Sequence, residues 1–330
     1  MARDDAYPIH REAEALIRAA GLHRRERHAC LHVTGADRLD YLHRMLTQSV
    51  QGLAVGQAAY ACLLTPKGRI LGDLLLWNAD DHLRLEASHD AMAALRPPLE
   101  RYVITDDVVF EDGPTDETAW VLAGPDALGV LVRAGFDVPV EGGFSETLWE
   151  GAPVRVLRIT RRGLMGFEIH APVRVAAALE TCLLGTEDVQ LAGPRAWAWA
   201  CAQYGIPLFG RELGDDVLFN EAGLEEAITW GKGCFPGQEP VVMAKHRGRP
   251  PRLLVAVDLE NETAVERGAE VRVDGASVGK VTAWAPTLCH RPARALAYVR
   301  TAEAIEGRRV QVAGAGPGTV HPLVPTGAAS

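Results

Sequence analysis

The chain has 330 residues, 48% of them hydrophobic and 23% charged. That is the composition of an ordinary globular protein and excludes the disordered and fibrous classes. Lys and Arg number 34 against 43 Asp and Glu, a formal net charge of −9, so there is no global attraction to a nucleic-acid backbone. No apolar run approaches the roughly 18 residues of a membrane-spanning helix. The charged stretch Met1–Arg11 also lacks the apolar core of a secretory signal, so the expected location is cytoplasmic, with no membrane partner and no direct nucleic-acid partner.

At roughly 100–200 residues per domain, two or three domains are expected. Ala29–Val33 reads as a strand. Thr34, with Asp37 three positions on, then opens a helix on Leu39, Leu42, Met45 and Leu46. Ala58–Leu64 and Ile70–Trp77 flank Thr65-Pro66-Lys67-Gly68, a type I turn pattern that makes them a hairpin. Leu83–Ala87 is a further strand. Ala91–Tyr102 begins as a helix that Pro97-Pro98 is expected to interrupt.

A second unit starts near Thr118. Ala119–Ala123 is a short strand, and Gly124-Pro125-Asp126 leads into a helix. Val154–Ile159 and Leu164–Ile169 form a pair turned by Arg161-Arg162-Gly163, and helices follow at Val173–Leu184 and Pro194–Tyr204. The last 85 or so residues change character. Leu253–Leu259, Glu270–Val273, Ser277–Ala283 and Ala295–Val299 read as strands, with Asp274-Gly275 a strong hairpin signal. Ala313–Gly318 and Thr326–Ser330 read as a frayed tail. The fold class is α+β, with two mixed lobes, 1–117 and 118–245, and a C-terminal β-barrel, 246–330.

The six cysteines are Cys30, Cys62, Cys182, Cys201, Cys234 and Cys289, none in a C-x-x-C pair. In a reducing compartment they are free thiols, too scattered to hold a permanent cluster, which needs about four ligands. His23, His28, His32 and His43 have no metal-ligand spacing and read as surface or edge-strand residues. Arg24, Arg25 and Arg27 beside Glu26 read as a solvated face, and Arg247–Arg252 as a linker.

One segment stands apart: Lys232-Gly233-Cys234-Phe235-Pro236-Gly237-Gln238-Glu239, continuing to Lys245, His246, Arg247 and Gly248. Two glycines and a proline in six residues favour a tight loop. Positive neighbours such as Lys232 favour the thiolate of Cys234, while the alternative is a cysteine that merely fills space.

The segment resembles the signature of the YgfZ family, K-G-C-[FY]-x-G-Q-E with a trailing K-x-R-G. Val33-Thr34-Gly35-Ala36-Asp37, Lys67-Gly68-Arg69, Gly166-Phe167-Glu168-Ile169 and Gly205-Ile206-Pro207-Leu208-Phe209-Gly210 fall in family order. That family is similar to the T-protein of the glycine cleavage system, a tetrahydrofolate-dependent aminomethyltransferase, and is associated with iron–sulfur proteins, including tRNA-modifying enzymes. The resemblance implies a T-protein-like folate-binding body and a cofactor that is tetrahydrofolate or a one-carbon derivative. It implies Glu168 as the pterin-holding carboxylate, able to accept two parallel N–H bonds, and Trp197 as a pocket-lining ring with Trp199 its rival. It also places His28 and Gln238 with the folate and Lys232 and Cys234 at the pocket mouth.

The sequence departs from the transferases in three places. Their Asp-Asp after the hairpin reads Gly72-Asp73 here, and their Arg and Glu of L-R-x-E-x-G read Cys201 and Gln203. The reading that follows is a folate-binding accessory protein whose partners are iron–sulfur clients. The alternative is an aminomethyltransferase-like one-carbon enzyme with Asp73 as its acid, and a third is a docking platform with no folate affinity.

Overall fold

The structure, a computed structural model, describes residues 6–186, 189–246 and 249–323. Arg247-Gly248 of the signature and Thr326–Ser330 lie outside the described residues. The fold is α+β, with two sheet-rich mixed lobes and a small closed six-stranded barrel. By contact the chain divides into two units, the first from residues 1–63, 72–197 and 226–235, the second from 64–71, 198–225 and 236–330.

In the first unit one sheet holds β2 (His28–Thr34), β3 (Ala58–Leu64), β4 (Ile70–Asn78), β5 (Leu83–Ser88) and β6 (Val109–Asp112), in the order β3-β4-β5-β2-β6. The other holds β1 (Ala20–Arg24), β7 (Glu117–Ala123), β8 (Phe144–Trp149), β9 (Ala152–Arg161), β10 (Leu164–Pro172) and β11 (Val189–Leu191). Its order is β11-β1-β7-β10-β9-β8. The helices are α1 (Ala6–Arg18), α2 (Arg38–Met45), α3 (His89–Arg101), α4 (Ala127–Arg133) and α5 (Val173–Leu184), with α6 (Pro194–Tyr204) running on into the second unit.

Strand alternation sorts the side chains. On β10, Phe167, Ile169 and Ala171 join Val130 and Leu131 of α4 and Val175, Leu179 and Leu183 of α5 in one apolar core. Glu168 and His170 therefore point to the opposite face. On β5, Leu83, Leu85 and Ala87 alternate with Arg84 and Glu86, and all five are buried.

The second unit contains β12 (Arg252–Leu259), β13 (Glu270–Val273), β14 (Ala276–Ala285), β15 (Arg294–Arg300), β16 (Arg309–Val312) and β17 (Gly316–Pro322). They close in the order β12-β15-β14-β13-β16-β17, with β17 returning to pair with β12. Two short helices, α7 (Phe219–Ala222) and α8 (Gln238–His246), belong to the same unit.

Three local expectations are corrected. Gly316–Pro322 is the closing strand rather than a tail: Val320 is buried in the barrel core, and a Cβ at Gly318 would lie 2.8 Å from Val257 Cγ1. Pro97 and Pro98 sit inside an unbroken α3. Ala93, whose carbonyl Pro97 cannot satisfy, is exposed to water, while Met92, Leu95 and Leu99 anchor the other face. Thr34 ends β2, and α2 starts after Asp37, whose carboxylate accepts from the Asp107 amide instead of capping the helix. The turns at Arg162-Gly163 and Asp274-Gly275 take the positive φ values that two-residue hairpins need.

Candidate functional site

Glu168 lies mid-strand on β10 and is buried, although a strand glutamate flanked by hydrophobics reads as solvated. Its Oε2 accepts from Nη1 of Arg25, on the turn joining β1 and β2. Burial alone would raise this carboxyl. Arg25, His170 and Arg161 outweigh it and hold the group at about 2, so it is ionised at neutral pH. Arg25 is thus no part of a solvated face.

Behind Glu168 the inner faces of the two sheets bury a charged layer. Arg84 donates to Glu86 and to Glu117, and Arg155 Nη1 lies 3.3 Å from Glu117 Oε1. Fully buried His170 stands 3.1 Å from Glu86, 3.5 Å from Glu117 and 3.8 Å from Glu168. Burial opposes charge on His170, but these carboxylates raise it above its ordinary 6.5. His28, on β2, sets its ring edge-on to His170 at 5.9 Å, and burial, with His170, lowers its own pKa. An opening of about 330 Å³ beside this layer is lined by Arg24, Arg25, Glu26, His28, Glu117 and Thr118.

His28, Glu117 and His170, and likewise Glu86, Glu168 and His170, bring ligand atoms within 4.8 Å of one another. Their carboxylates are already taken by the guanidinium groups of Arg25, Arg84 and Arg155.

Asp73 on β4 forms the other pole. Tyr60 of β3 donates its hydroxyl to Asp73 Oδ2 at 2.8 Å, and Arg161 Nη2 lies 3.8 Å from the same oxygen. The Arg161 guanidinium also stacks over the Tyr60 ring at 4.5 Å. Burial, then Asp73, raises the Tyr60 phenol well above its ordinary range, so it stays a donor. Arg161 acts on both Asp73 and Glu168 and links the two carboxylates electrostatically. At the neighbouring position, a Cβ on Gly72 would lie 2.7 Å from Leu95 Cγ, so this backbone has no room for the transferases' first aspartate.

Trp197 on α6 is half-buried and stacks on His23, centroids 5.2 Å apart and planes 8° from parallel. His23 Nδ1 donates to the Ala192 carbonyl at 2.9 Å, and burial lowers its pKa. His23 is a buried partner, not a surface residue. Within the second unit Trp199 is buried with its indole N–H on the Pro286 carbonyl, which makes it a structural residue. Cys201 and Gln203 are buried too, and Gln203 donates to the Pro292 carbonyl.

In the signature loop Cys234 is exposed and Lys232 half-buried. Lys232 Nζ donates to the His43 carbonyl, and His43 Nε2 donates to the Lys232 carbonyl at 2.8 Å. His43 Nδ1 accepts from the Val50 amide, so the ring hydrogen sits on Nε2. Burial lowers the Lys232 amine to about 8, and it lies 5.1 Å from the centre of the Phe235 ring. The loop ends at Gly237, where a Cβ would lie 2.4 Å from the Thr65 carbonyl oxygen. Gln238 is the first residue of α8, in the second unit.

Glu168, His28 and Asp73 are therefore joined by one charged network that sequence reasoning reached only at its ends. Arg25, Arg84, Glu86, Glu117, Arg161, His170 and Tyr60 were missed. The available signal was charge at alternate positions of otherwise apolar strands, Arg84-Leu85-Glu86 and Glu168-Ile169-His170.

Residues 2–232 match the family described as the GCVT N-terminal domain. An aminomethyltransferase of Geobacillus kaustophilus is 30% identical over 312 residues, 92% of this chain and 85% of that protein. One of Symbiobacterium thermophilum is also 30% identical, over 91% of this chain and 84% of its own length. The crystal structure of glycine cleavage system aminomethyltransferase T from Bartonella henselae aligns with TM-score 0.85 and 25% identity, covering 96% of this chain and 89% of that one.

Proposed function

This chain belongs to the GCVT N-terminal domain family, and from that premise we propose that it is a tetrahydrofolate-dependent one-carbon enzyme of the aminomethyltransferase type. The observation that carries the reading is the pair of held carboxylates, Asp73 on Tyr60 and buried Glu168, linked through Arg161. Tetrahydrofolate, when bound, supplies the nitrogen that accepts the carbon. A buried, ionised carboxylate suits the paired N–H donors of its aminopyrimidinone edge, and Glu168 holds that edge.

Asp73 does the proton work. With an aminomethyl thioether as donor, the carbon would form bonds to two folate nitrogens, each giving up a proton, and would lose its bonds to the amine and to the carrier sulfur, which take up those protons and leave as ammonia and thiol. Asp73 takes the first proton and delivers it to the leaving amine. Tyr60 and Arg161 keep its carboxylate aimed. Trp197, its ring held by stacking on His23, is the aromatic residue of this reading's folate site.

The test is an anaerobic assay of tetrahydrofolate with a panel of N-methyl and aminomethyl donors, product folate being measured. Wild type is expected to turn over. Asp73→Asn should cut the rate by ~100-fold or more, the usual scale for a general acid–base group, with folate affinity unchanged, and Glu168→Gln should weaken folate binding. Saturable binding with no product from any donor overturns the enzymatic reading.

A second reading rests on one observation, exposed Cys234 on a loop clamped by Lys232 and His43. It makes the chain a folate-binding accessory to iron–sulfur enzymes, as in the YgfZ family. A deletion strain complemented with Cys234→Ser would then lose iron–sulfur enzyme activity while folate binding persists.

A further inference from the structure

Glu168 is held by a partner that stands where a folate would bind. A ligand that presents two parallel N–H donors uses both carboxylate oxygens, and Oε2 already accepts from Nη1 of Arg25, so the guanidinium competes for that oxygen. We propose that Arg25 is a gate on this site: it occupies Glu168 when the ligand is absent and swings away when the ligand binds. The inference rests on the reading of Glu168 as the pterin-holding residue.

The surroundings fit a side chain with two resting places. The backbone of Arg25 is fixed, its amide donating to the Ala119 carbonyl at 2.9 Å and its carbonyl 3.3 Å from His28 Nδ1. Movement is thereby confined to the side chain, which remains 20% exposed while that of Glu168 is 8% exposed. The opening of about 330 Å³ that Arg25 helps to line gives the guanidinium room, and two carboxylates, Glu26 and Glu117, stand in the same lining to receive it. Glu117 Oε2 is held by Arg84 and faces His170, but its Oε1 has only long contacts, 3.3 Å to Arg155 and 3.5 Å to Arg84, and is the oxygen a further donor would reach.

The gate makes a prediction opposite in sign to that of an ordinary binding residue. Removing the guanidinium leaves Glu168 buried without its main partner, and the ligand's N–H donors then meet an unsatisfied acceptor. Binding of 6-methyltetrahydropterin and of tetrahydrofolate would be measured anaerobically by calorimetry at pH 8 on the full chain. Arg25→Met is expected to bind both about tenfold more tightly than wild type, on the scale of one charge-assisted hydrogen bond. Arg25→Lys keeps a cationic donor and should stay within about twofold of wild type. Arg25→Gln, which keeps an N–H without the charge, should fall between and serves if the Met variant folds poorly.

Weaker or unchanged binding in Arg25→Met and Arg25→Gln overturns the gate and makes Arg25 a support for Glu168. Glu168→Gln separates the two failures. If it binds as tightly as wild type, the reading of Glu168 is wrong. If it binds weakly while the Arg25 variants show no gain, only the gate is wrong.

Discussion

Between its two sheets the first unit buries the side chains of Arg84, Glu86, Glu117, Glu168 and His170, whereas the barrel interior is filled by Val255, Val257, Val271, Val281, Ala295, Ala297 and Val299. Both interiors are built from alternating strands, and they differ only in what alternates. An apolar filling of equal volume often matches or exceeds the stability of a buried ion-pair network. The charged layer is therefore poorly explained as a stability device. It reaches Glu168, whose partner Arg25 lines the opening, while the barrel has shape alone to maintain.

The largest effect should come from breaking the charged layer. Arg84→Met leaves Glu86 and Glu117 facing each other without their shared cation, and should cost ~3–5 kcal/mol. Val257→Ala in the barrel removes two methyl groups and should cost about 2 kcal/mol. Urea unfolding followed by circular dichroism compares the two, and a costlier Val257→Ala would dissolve the contrast.

Acid sharpens the comparison. Glu168 and Glu117 are both held at about 2, against an ordinary 4.5. For each, burial pushes up, and neighbouring cations, Arg25 for Glu168 and His170 with Arg84 for Glu117, pull down further. The unfolded chain binds these protons first, so the stability they contribute is whole above about pH 4.5 and drains as pH falls toward 2. His170 works in the other direction: its pKa is raised above 6.5, so its contribution is whole below 6.5 and is lost as pH climbs through the raised value. Urea midpoints should fall as pH drops from 4.5 toward 2, and Glu117→Gln should flatten this acid limb.

The smallest effect belongs to the signature thiol. Cys234→Ser should change stability by no more than ~0.5 kcal/mol because the side chain is exposed. A thiol reagent should find one fast-reacting group in native wild type, absent in this variant.

Much of the fold was legible where local chemistry decides it. Arg162-Gly163 and Asp274-Gly275 mark their turns, and the apolar spacing of Val173–Leu184 marks its helix. The structure was opaque where a neighbour decides. Gly316-Pro317-Gly318 reads as a tail until β12 lies against it, and the helix at Pro97-Pro98 is held by Leu95 and Leu99. The site divides in the same way. Glu168 and Asp73 could be picked out by motif, but Arg84 and Glu86 look like the wet face of a strand, because alternation alone does not reveal that a second sheet covers that face. Arg25 looked like one of a basic cluster for the same reason.

Strand β1 sits between β7 and β11, its Ala20 paired with Val189 and its Leu22 with Leu122. During synthesis it emerges long before either neighbour exists. Its two open edges must wait while most of the first unit's chain, and the excursion at 64–71, is still being made. Such long-range pairing slows folding and exposes unpaired edges meanwhile. A fragment ending before β11 would carry that unpaired edge permanently.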